Sequence, residues 1–145
     1  MGTIRDLIVE GAASYDQRDA EGMVATYADD AVLTAPPGIR AEGKQEIRDY
    51  WVQMARAFTN GTGEVGRSCE TGDIYFGEIS FQGMNTGELT MPDGTSVPPT
   101  GKPLEVSGVE FARVRDGKMV EHNLYWDALG MMRQLGFLAS EPALR

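Results

Sequence analysis

The residues best suited to chemistry lie close together in the stretch VEHNLYWDALGMMRQLGF, residues 120–137. The stretch predicts a strand that runs directly into a helix, because β-favouring residues give way to Ala-Leu-Gly-Met-Met. Asp127 stands at the boundary between the two. It could transfer protons from the end of the strand, or it could cap the helix that follows. From spacing alone the cap is favoured, because aspartate is common at such a position.

Alternation along this strand divides the candidate side chains between two faces. Asn123, Tyr125 and Asp127 share one face, and an acid/base role for Asp127 requires this face to line a concave, apolar pocket. His122 is the single histidine of the chain. It points to the opposite face, so we expect no dyad with Asp127 and interpret His122 as a structural or interface residue.

The turn Arg-Asp-Gly-Lys at 115–118 sets the register of this strand with the preceding one. A two-residue turn would pair Glu110 with Asn123. A three-residue turn with a glycine bulge would pair Val109 with Asn123, and it is preferred because glycine suits the left-handed position. The preferred register also sets Glu110 opposite His122, and a slip by one residue would reverse these assignments.

Composition limits the classes of function. The 145 residues suit one domain over 1–145. With 22 acidic and 13 basic side chains the net charge is −9, which argues against nucleic-acid and anionic-membrane partners. No apolar run approaches the ~20 residues of a membrane span. One cysteine, Cys69, and one histidine do not favour a metal site, and a cytoplasmic location is expected.

Helical patterns precede strand patterns along the chain, which predicts an α+β fold. A helix should begin at Ile4 after the capping residue Thr3, and a short one should follow Asp19. A third helix should follow Gly43 and carry one apolar stripe that includes Tyr50, Trp51, Met54 and Phe58. Such a stripe is usually core, and it lines a pocket only if the sheet curls away from it. The strand patterns are AVLTA, which ends before Pro36, and after Gly61 IYFGEISFQG, LEVSGVEFARV and MVEHNLYW.

Three segments resemble the SnoaL-like polyketide cyclase / ester cyclase family of the nuclear transport factor 2-like superfamily: GMNTGEL, PPTGKPLEVSGVEFARVRDGKMVEHNLYWD and MMRQLGF. The resemblance implies a cone in which a curved antiparallel sheet wraps three N-terminal helices and a deep apolar pocket, followed by a short C-terminal helix. It also implies a homodimer through the outer face of the sheet and no cofactor. The family's acid/base aspartate, at the end of the last long strand, corresponds to Asp127.

Two positions depart from the family pattern. Asn85 stands where many relatives have histidine, and Asn123 stands where many have an aromatic residue. Both amides can donate hydrogen bonds but cannot carry a proton at neutral pH. We therefore expect Asn85, Asn123 and Arg113 to stabilise a developing oxyanion while Asp127 moves the proton. The pocket itself should be shaped by apolar and aromatic side chains: Tyr15, Trp51, Met54, Phe58 and Tyr125.

The leading hypothesis is a cofactor-independent acid/base enzyme that acts on a medium-sized apolar small molecule. Cyclisation of a polyketide-type or related natural-product intermediate is the favoured reaction. A non-catalytic small-molecule binder or dimerisation module remains an alternative, because the fold serves both uses. Isomerisation, dehydration or epoxide hydrolysis in the same pocket is a further alternative.

Overall fold

The computed structural model describes residues 3–138, so residues 1, 2 and 139–145 of the expected domain lie outside the described part. Within this range the helices are α1 (Ile4–Asp16), α2 (Ala20–Ala25), α3 (Lys44–Ala57) and α4 (Ala128–Gln134). The strands are β1 (Tyr27–Ala35), β2 (Ile39–Glu42), β3 (Phe58–Thr71), β4 (Ile74–Asn85), β5 (Leu89–Thr90), β6 (Ser96–Val97), β7 (Pro103–Arg115) and β8 (Lys118–Trp126). None of these helices is long and apolar enough to cross a membrane.

The predicted helix starts are confirmed. Thr3 and Asp6 form a reciprocal capping box at α1, and the Asp19 carboxylate caps α2 by accepting from the Gly22 amide. α3 follows Gly43 but ends at Ala57. Phe58 is therefore the first residue of β3 and leaves the helical stripe to which the sequence assigned it.

Six strands form one curved sheet in the order β2-β1-β8-β7-β4-β3. All neighbours are antiparallel except β1 and β8, which run parallel. α1 packs on β3 and β4, and α3 packs on β1, β2 and β3, so the helices cover one face of the sheet. The α+β class is confirmed. β3 has no counterpart in the sequence analysis, because its glycine-rich, polar sequence lacks the usual apolar alternation.

The residues that pair between β7 and β8 differ from the predicted pairs, but each residue lies on the predicted face of its strand. Arg115 pairs with Lys118 across a two-residue turn in which both central residues have positive φ. A bulge at Val120 then shifts the strand, so that Val109 pairs with Tyr125. The preferred glycine-bulge register is wrong by two residues. Because a shift of two preserves side-chain parity, the residues still divide between the two faces as predicted.

The concave side of the sheet is the opposite of the expected one. His122, Leu124 and Trp126 of β8 point towards the helices, together with Glu110 of β7. Tyr125 lies on the outer face and is 53% exposed. Consequently the face that carries the single histidine, and not the face of Asn123 and Tyr125, lines the interior.

Candidate active site

A cavity of about 140 Å³ lies between the helices and the concave side of the sheet. Its wall is mostly apolar. Among the described lining residues the acids are Glu64 and Glu110, His122 is the imidazole, and there is no lysine or arginine. The aromatic lining residues are Tyr15, Tyr27, Tyr50, Trp51, Phe81 and Trp126. Such a wall suits an apolar ligand that a few polar groups orient.

Four polar side chains form a continuous hydrogen-bonded chain along one side of this cavity. The Glu110 Oε1 atom lies 2.7 Å from His122 Nε2, and the other ring nitrogen, Nδ1, lies 2.6 Å from the Tyr27 hydroxyl. The Trp51 indole N–H donates to that hydroxyl over 3.2 Å. β1, β7, β8 and α3 each supply one member, so the fold itself assembles the group.

The acid–imidazole pair is withheld from solvent. Glu110 is 3% exposed and His122 is 5% exposed. A buried carboxylate of this kind normally has every oxygen hydrogen-bonded. The second oxygen of Glu110, Oε2, has no partner among the described residues. The same holds for the Tyr15 hydroxyl and the Trp126 indole N–H, and all three residues line the cavity.

The cavity tyrosines remain hydroxyl donors. Burial raises the pKa of Tyr15 to about 12, against a smaller lowering by the Arg18 guanidinium. Burial also raises the pKa of Tyr27 and that of Tyr50 far above the ordinary value for a phenol. Each phenolate is disfavoured because a charge is costly in a low-dielectric wall.

Three of the pocket residues expected from the sequence line the cavity, namely Tyr15, Trp51 and Met54. Phe58 is fully buried behind the wall, where its ring packs edge-on against the lining residue Phe81 at 5.5 Å between centroids. The helical stripe therefore contributes to the pocket as far as Met54.

Asp127 lies outside the cavity wall. It is exposed at the N-cap of α4, and its Oδ1 atom accepts from the Gly130 amide at 2.8 Å. The capping alternative is confirmed. The prediction that Asp127 lies on the concave face is wrong, because Asn123 and Tyr125, which share its face of β8, point away from the cavity.

The other polar residues of the expected oxyanion site also lie elsewhere. Asn123 is on the outer face, where it accepts from the Thr34 hydroxyl and donates to Glu121. The Arg113 guanidinium lies 3.5 Å from a carboxylate oxygen of Glu121. Tyr125 is exposed on the same side. These residues form a polar and aromatic surface, so the expectation that they surround a substrate beside Asp127 is corrected.

Asn85 is fully buried and uses its amide for the structure of the chain that follows. Its Nδ2 donates to the carbonyls of Ala57 and Gly87, and its Oδ1 accepts from the amide and hydroxyl of Thr100. Since the amide already makes four hydrogen bonds, it has no spare group for an oxyanion. Asn85 instead ties the 86–102 connection to the end of α3.

Sequence reasoning missed Glu110, His122 and Tyr27 as site residues. A signal was present, because the preferred register already placed Glu110 opposite the single histidine. The wrong choice of concave face hid its meaning. Tyr27 gave no signal, because the sequence assigned it to the apolar side of the short helix after Asp19, whereas it is the first residue of β1. Among residues 3–138 there is no cluster of three His, Cys, Asp or Glu side chains that could hold a metal ion.

The curved, unclosed sheet and its helices have the fold of nuclear transport factor 2-like proteins. The family model of the SnoaL-like polyketide cyclases matches residues 6–135. The chain belongs to the SnoaL-like polyketide cyclase family. No curated protein matches its sequence.

Several solved structures resemble the chain over nearly its whole length. TsrD from Streptomyces laurentii has a TM-score of 0.79 at 21% identity, over 93% of this chain and 96% of that one. IdmH from Streptomyces antibioticus, described as a candidate polyketide cyclase, has a TM-score of 0.73 at 28% identity, over 93% and 99%. An NTF2-like protein from Burkholderia thailandensis has a TM-score of 0.72 at 21% identity, over 93% and 98%. These likenesses confirm the predicted fold.

Proposed function

We propose that the protein is a cofactor-independent acid/base enzyme that acts on an uncharged, apolar small molecule inside the cavity. The observation that carries the proposal is the buried Glu110–His122 pair on the cavity wall. The proposal moves the acid/base role from Asp127, which is exposed at a helix cap, to this pair.

The pair is suited to proton transfer. The His122 ring orients the carboxylate through the hydrogen bond of 2.7 Å to Oε1, and the neighbours of the pair on the wall exclude bulk water. Glu110 lines the cavity, and its buried Oε2 atom has unused hydrogen-bonding capacity, because it has no partner among the described residues. A C–H group next to a carbonyl, brought against this oxygen, would be positioned for removal of its proton.

Two further groups can hold the oxygen on which negative charge would develop. The Tyr15 hydroxyl and the Trp126 indole N–H are donors, line the cavity and have no partner among the described residues. With a pKa of about 12, Tyr15 keeps its proton at neutral pH. Donors fixed in an apolar wall stabilise an enolate oxygen more than water-exposed ones do.

The lining also selects the charge of the ligand. Glu64 and Glu110 are its acidic groups, and no lysine or arginine stands among the described lining residues. Together with the net charge of −9, this arrangement disfavours an anionic ligand. A neutral polyketide-type intermediate with a carbonyl and an acidic C–H fits, and ring closure by an aldol-type step is the proposed reaction.

Exchange of α-protons in D₂O tests the proposal without knowledge of the natural substrate. 2-Tetralone is an apolar, uncharged ketone whose C–H exchange can be followed by NMR. The protein should accelerate exchange, and Glu110→Gln should lose roughly 100-fold or more of that acceleration while still binding the ketone. Glu64→Gln, at the exposed lining carboxylate, is the matched control and should stay near wild type.

Two results would contradict the proposal. Full exchange activity in Glu110→Gln would show that the Glu110–His122 pair does not transfer the α-proton. Saturable binding of 2-tetralone by the wild type without faster exchange would instead favour a non-catalytic small-molecule binder.

A further inference from the structure

We propose that Tyr27 is a switched hydrogen-bond donor to the ligand. Its hydroxyl donates to His122 while the imidazole is neutral, and it turns to the cavity when the ring gains a proton. The catalytic use of this switch rests on the proposed function, whereas the switch itself follows from the hydrogen-bond geometry.

The donor inventory fixes the neutral state. The Trp51 indole nitrogen can only donate, so the Tyr27 oxygen accepts from it over 3.2 Å. The Glu110 carboxylate can only accept, so His122 Nε2 carries the ring proton and donates over 2.7 Å. His122 Nδ1 is then an acceptor, and the Tyr27 O–H donates to it over 2.6 Å.

One added proton on the ring reverses the Tyr27 contact. Nδ1 then carries a hydrogen and donates to the Tyr27 oxygen. That oxygen now accepts from both Trp51 and His122, so its two acceptor positions are filled. The Tyr27 O–H no longer has an acceptor among these four side chains, because protonated Nδ1 cannot accept a hydrogen bond. Because Tyr27 lines the cavity, this hydrogen becomes available to an acceptor atom of a ligand.

The titratable groups around the ring come from several elements. Glu110 on β7 contacts it directly, and Tyr27 on β1 contacts its other nitrogen. Tyr75 on β4 and Tyr27 both feel the charge of Glu110, and Tyr27 also feels that of Tyr50 on α3. Burial raises the pKa of each of these three tyrosines above its ordinary value, so all three are neutral near pH 7. A proton added at Nδ1 faces the Tyr27 hydroxyl, while Nε2 keeps its contact with Glu110.

Trp51 acts as a positioning residue. Its N–H donates to the Tyr27 oxygen whether His122 is neutral or protonated. After His122 is protonated, the Tyr27 hydroxyl can therefore only donate a further hydrogen bond. The switch thus couples two events. Protonation of His122 at Nδ1 provides a donor for a carbonyl or enolate oxygen, and by linkage an acceptor ligand at Tyr27 favours protonated His122.

Nitrogen NMR of the imidazole tests the hydrogen-bond directions, and the single histidine makes the assignment unambiguous. In the neutral state the ¹⁵N shifts should show a protonated Nε2 and an unprotonated Nδ1. On acidification Nδ1 should move to the protonated position while Nε2 stays protonated. A neutral ring with its proton on Nδ1, or a folded protein in which acidification leaves Nδ1 unprotonated, would overturn the proposal.

Matched variants separate Tyr27 from general effects of substitution. Tyr27→Phe should shift the neutral Nδ1 signal and move one of the two indole N–H signals, that of Trp51, because each loses its partner. Trp126→Phe removes the other cavity indole and should leave both His122 signals in place. Unchanged His122 and Trp51 signals in Tyr27→Phe would refute the assigned contacts.

The ligand half of the proposal uses 2-tetralone labelled with ¹³C at the carbonyl. When the ring is protonated, the bound carbonyl signal should move downfield in the wild type and stay in place in Tyr27→Phe. An equal movement in both proteins would overturn donation by Tyr27. This readout needs binding and no turnover, so it stands apart from a failure of catalytic exchange.

Discussion

At the residue scale, the site depends on which groups are buried with unused hydrogen-bonding capacity. Glu110 and His122 are almost fully buried, and the carboxylate keeps one oxygen without a partner among the described residues. Asp127 and Asn85 looked better suited to chemistry by spacing and by family position. In the structure the side chains of both residues form hydrogen bonds to the backbone, Asp127 to the Gly130 amide and Asn85 to the Ala57 carbonyl. Spacing identifies residue types, whereas burial and partners decide what each residue is free to do.

Tyr27→Phe should lower the free energy of unfolding by ~1–3 kcal/mol. The substitution removes the partner of the part-buried Trp51 N–H and of the buried His122 Nδ1, and unpaired buried groups cost about this much. Tyr15→Phe is the matched control at neutral pH, because the Tyr15 hydroxyl has no partner among the described residues. Urea denaturation measures both. Equal costs for the two variants would argue against the hydrogen-bonded chain.

Tyr15 should make the protein lose stability in alkali. Its pKa rises from 10.0 to about 12 on folding, so the unfolded chain ionises first. Stability is full below pH 10 and falls as pH rises towards 12, by ~1.4 kcal/mol per pH unit for one group. Tyr15→Phe should reduce the slope by that amount in denaturation measurements at pH 10–12. An unchanged slope would contradict the burial of this phenol.

At the element scale, local rules predicted helices well and the sheet less well. Thr3 and Asp19 mark helix starts by side-chain caps, which act within one turn and can be identified from adjacent residues. β3 is held by pairing with β4, a long-range contact that its glycine-rich sequence does not show. The Val120 bulge likewise depends on packing. The face of β8 that lines the cavity could not be derived, because both faces carry aromatic residues.

The junction of β8 and α4 gives a prediction about Asp127. Asp127→Ala should lower the free energy of unfolding by ~1 kcal/mol, because the Gly130 amide loses its acceptor. Asp127→Asn should restore most of this loss, since asparagine is an equally good N-cap. Thermal or urea denaturation distinguishes the two variants. Equal losses in both would argue that the charge, and not the cap, stabilises this junction.

At the scale of the whole molecule, the resemblance to the SnoaL-like family predicted the fold, which the structure confirms over residues 3–138. The homodimer and the cytoplasmic location stay predictions. The outer face of the sheet supports the first. Phe76, Val109 and Tyr125 are each about half exposed there, and Phe76 packs edge-on against Phe111. An exposed apolar patch of this kind commonly marks a protein interface.

We therefore propose a homodimer through this patch and expect sedimentation at micromolar concentration to show two chains. Tyr125→Lys should shift the equilibrium to the monomer, because a charge would be buried in the interface. Val9→Lys is the control, as Val9 is 43% exposed on α1, away from the sheet. A monomeric wild type, or equal dissociation by both variants, would contradict the proposed interface.

The central claim is that proton transfer belongs to the Glu110–His122 pair inside the cavity and not to Asp127 at the helix cap. The most direct test compares Glu110→Gln with Asp127→Asn in the exchange of 2-tetralone α-protons. We predict a loss of roughly 100-fold or more for Glu110→Gln and a rate close to wild type for Asp127→Asn. A large loss in Asp127→Asn together with full activity in Glu110→Gln would contradict the account.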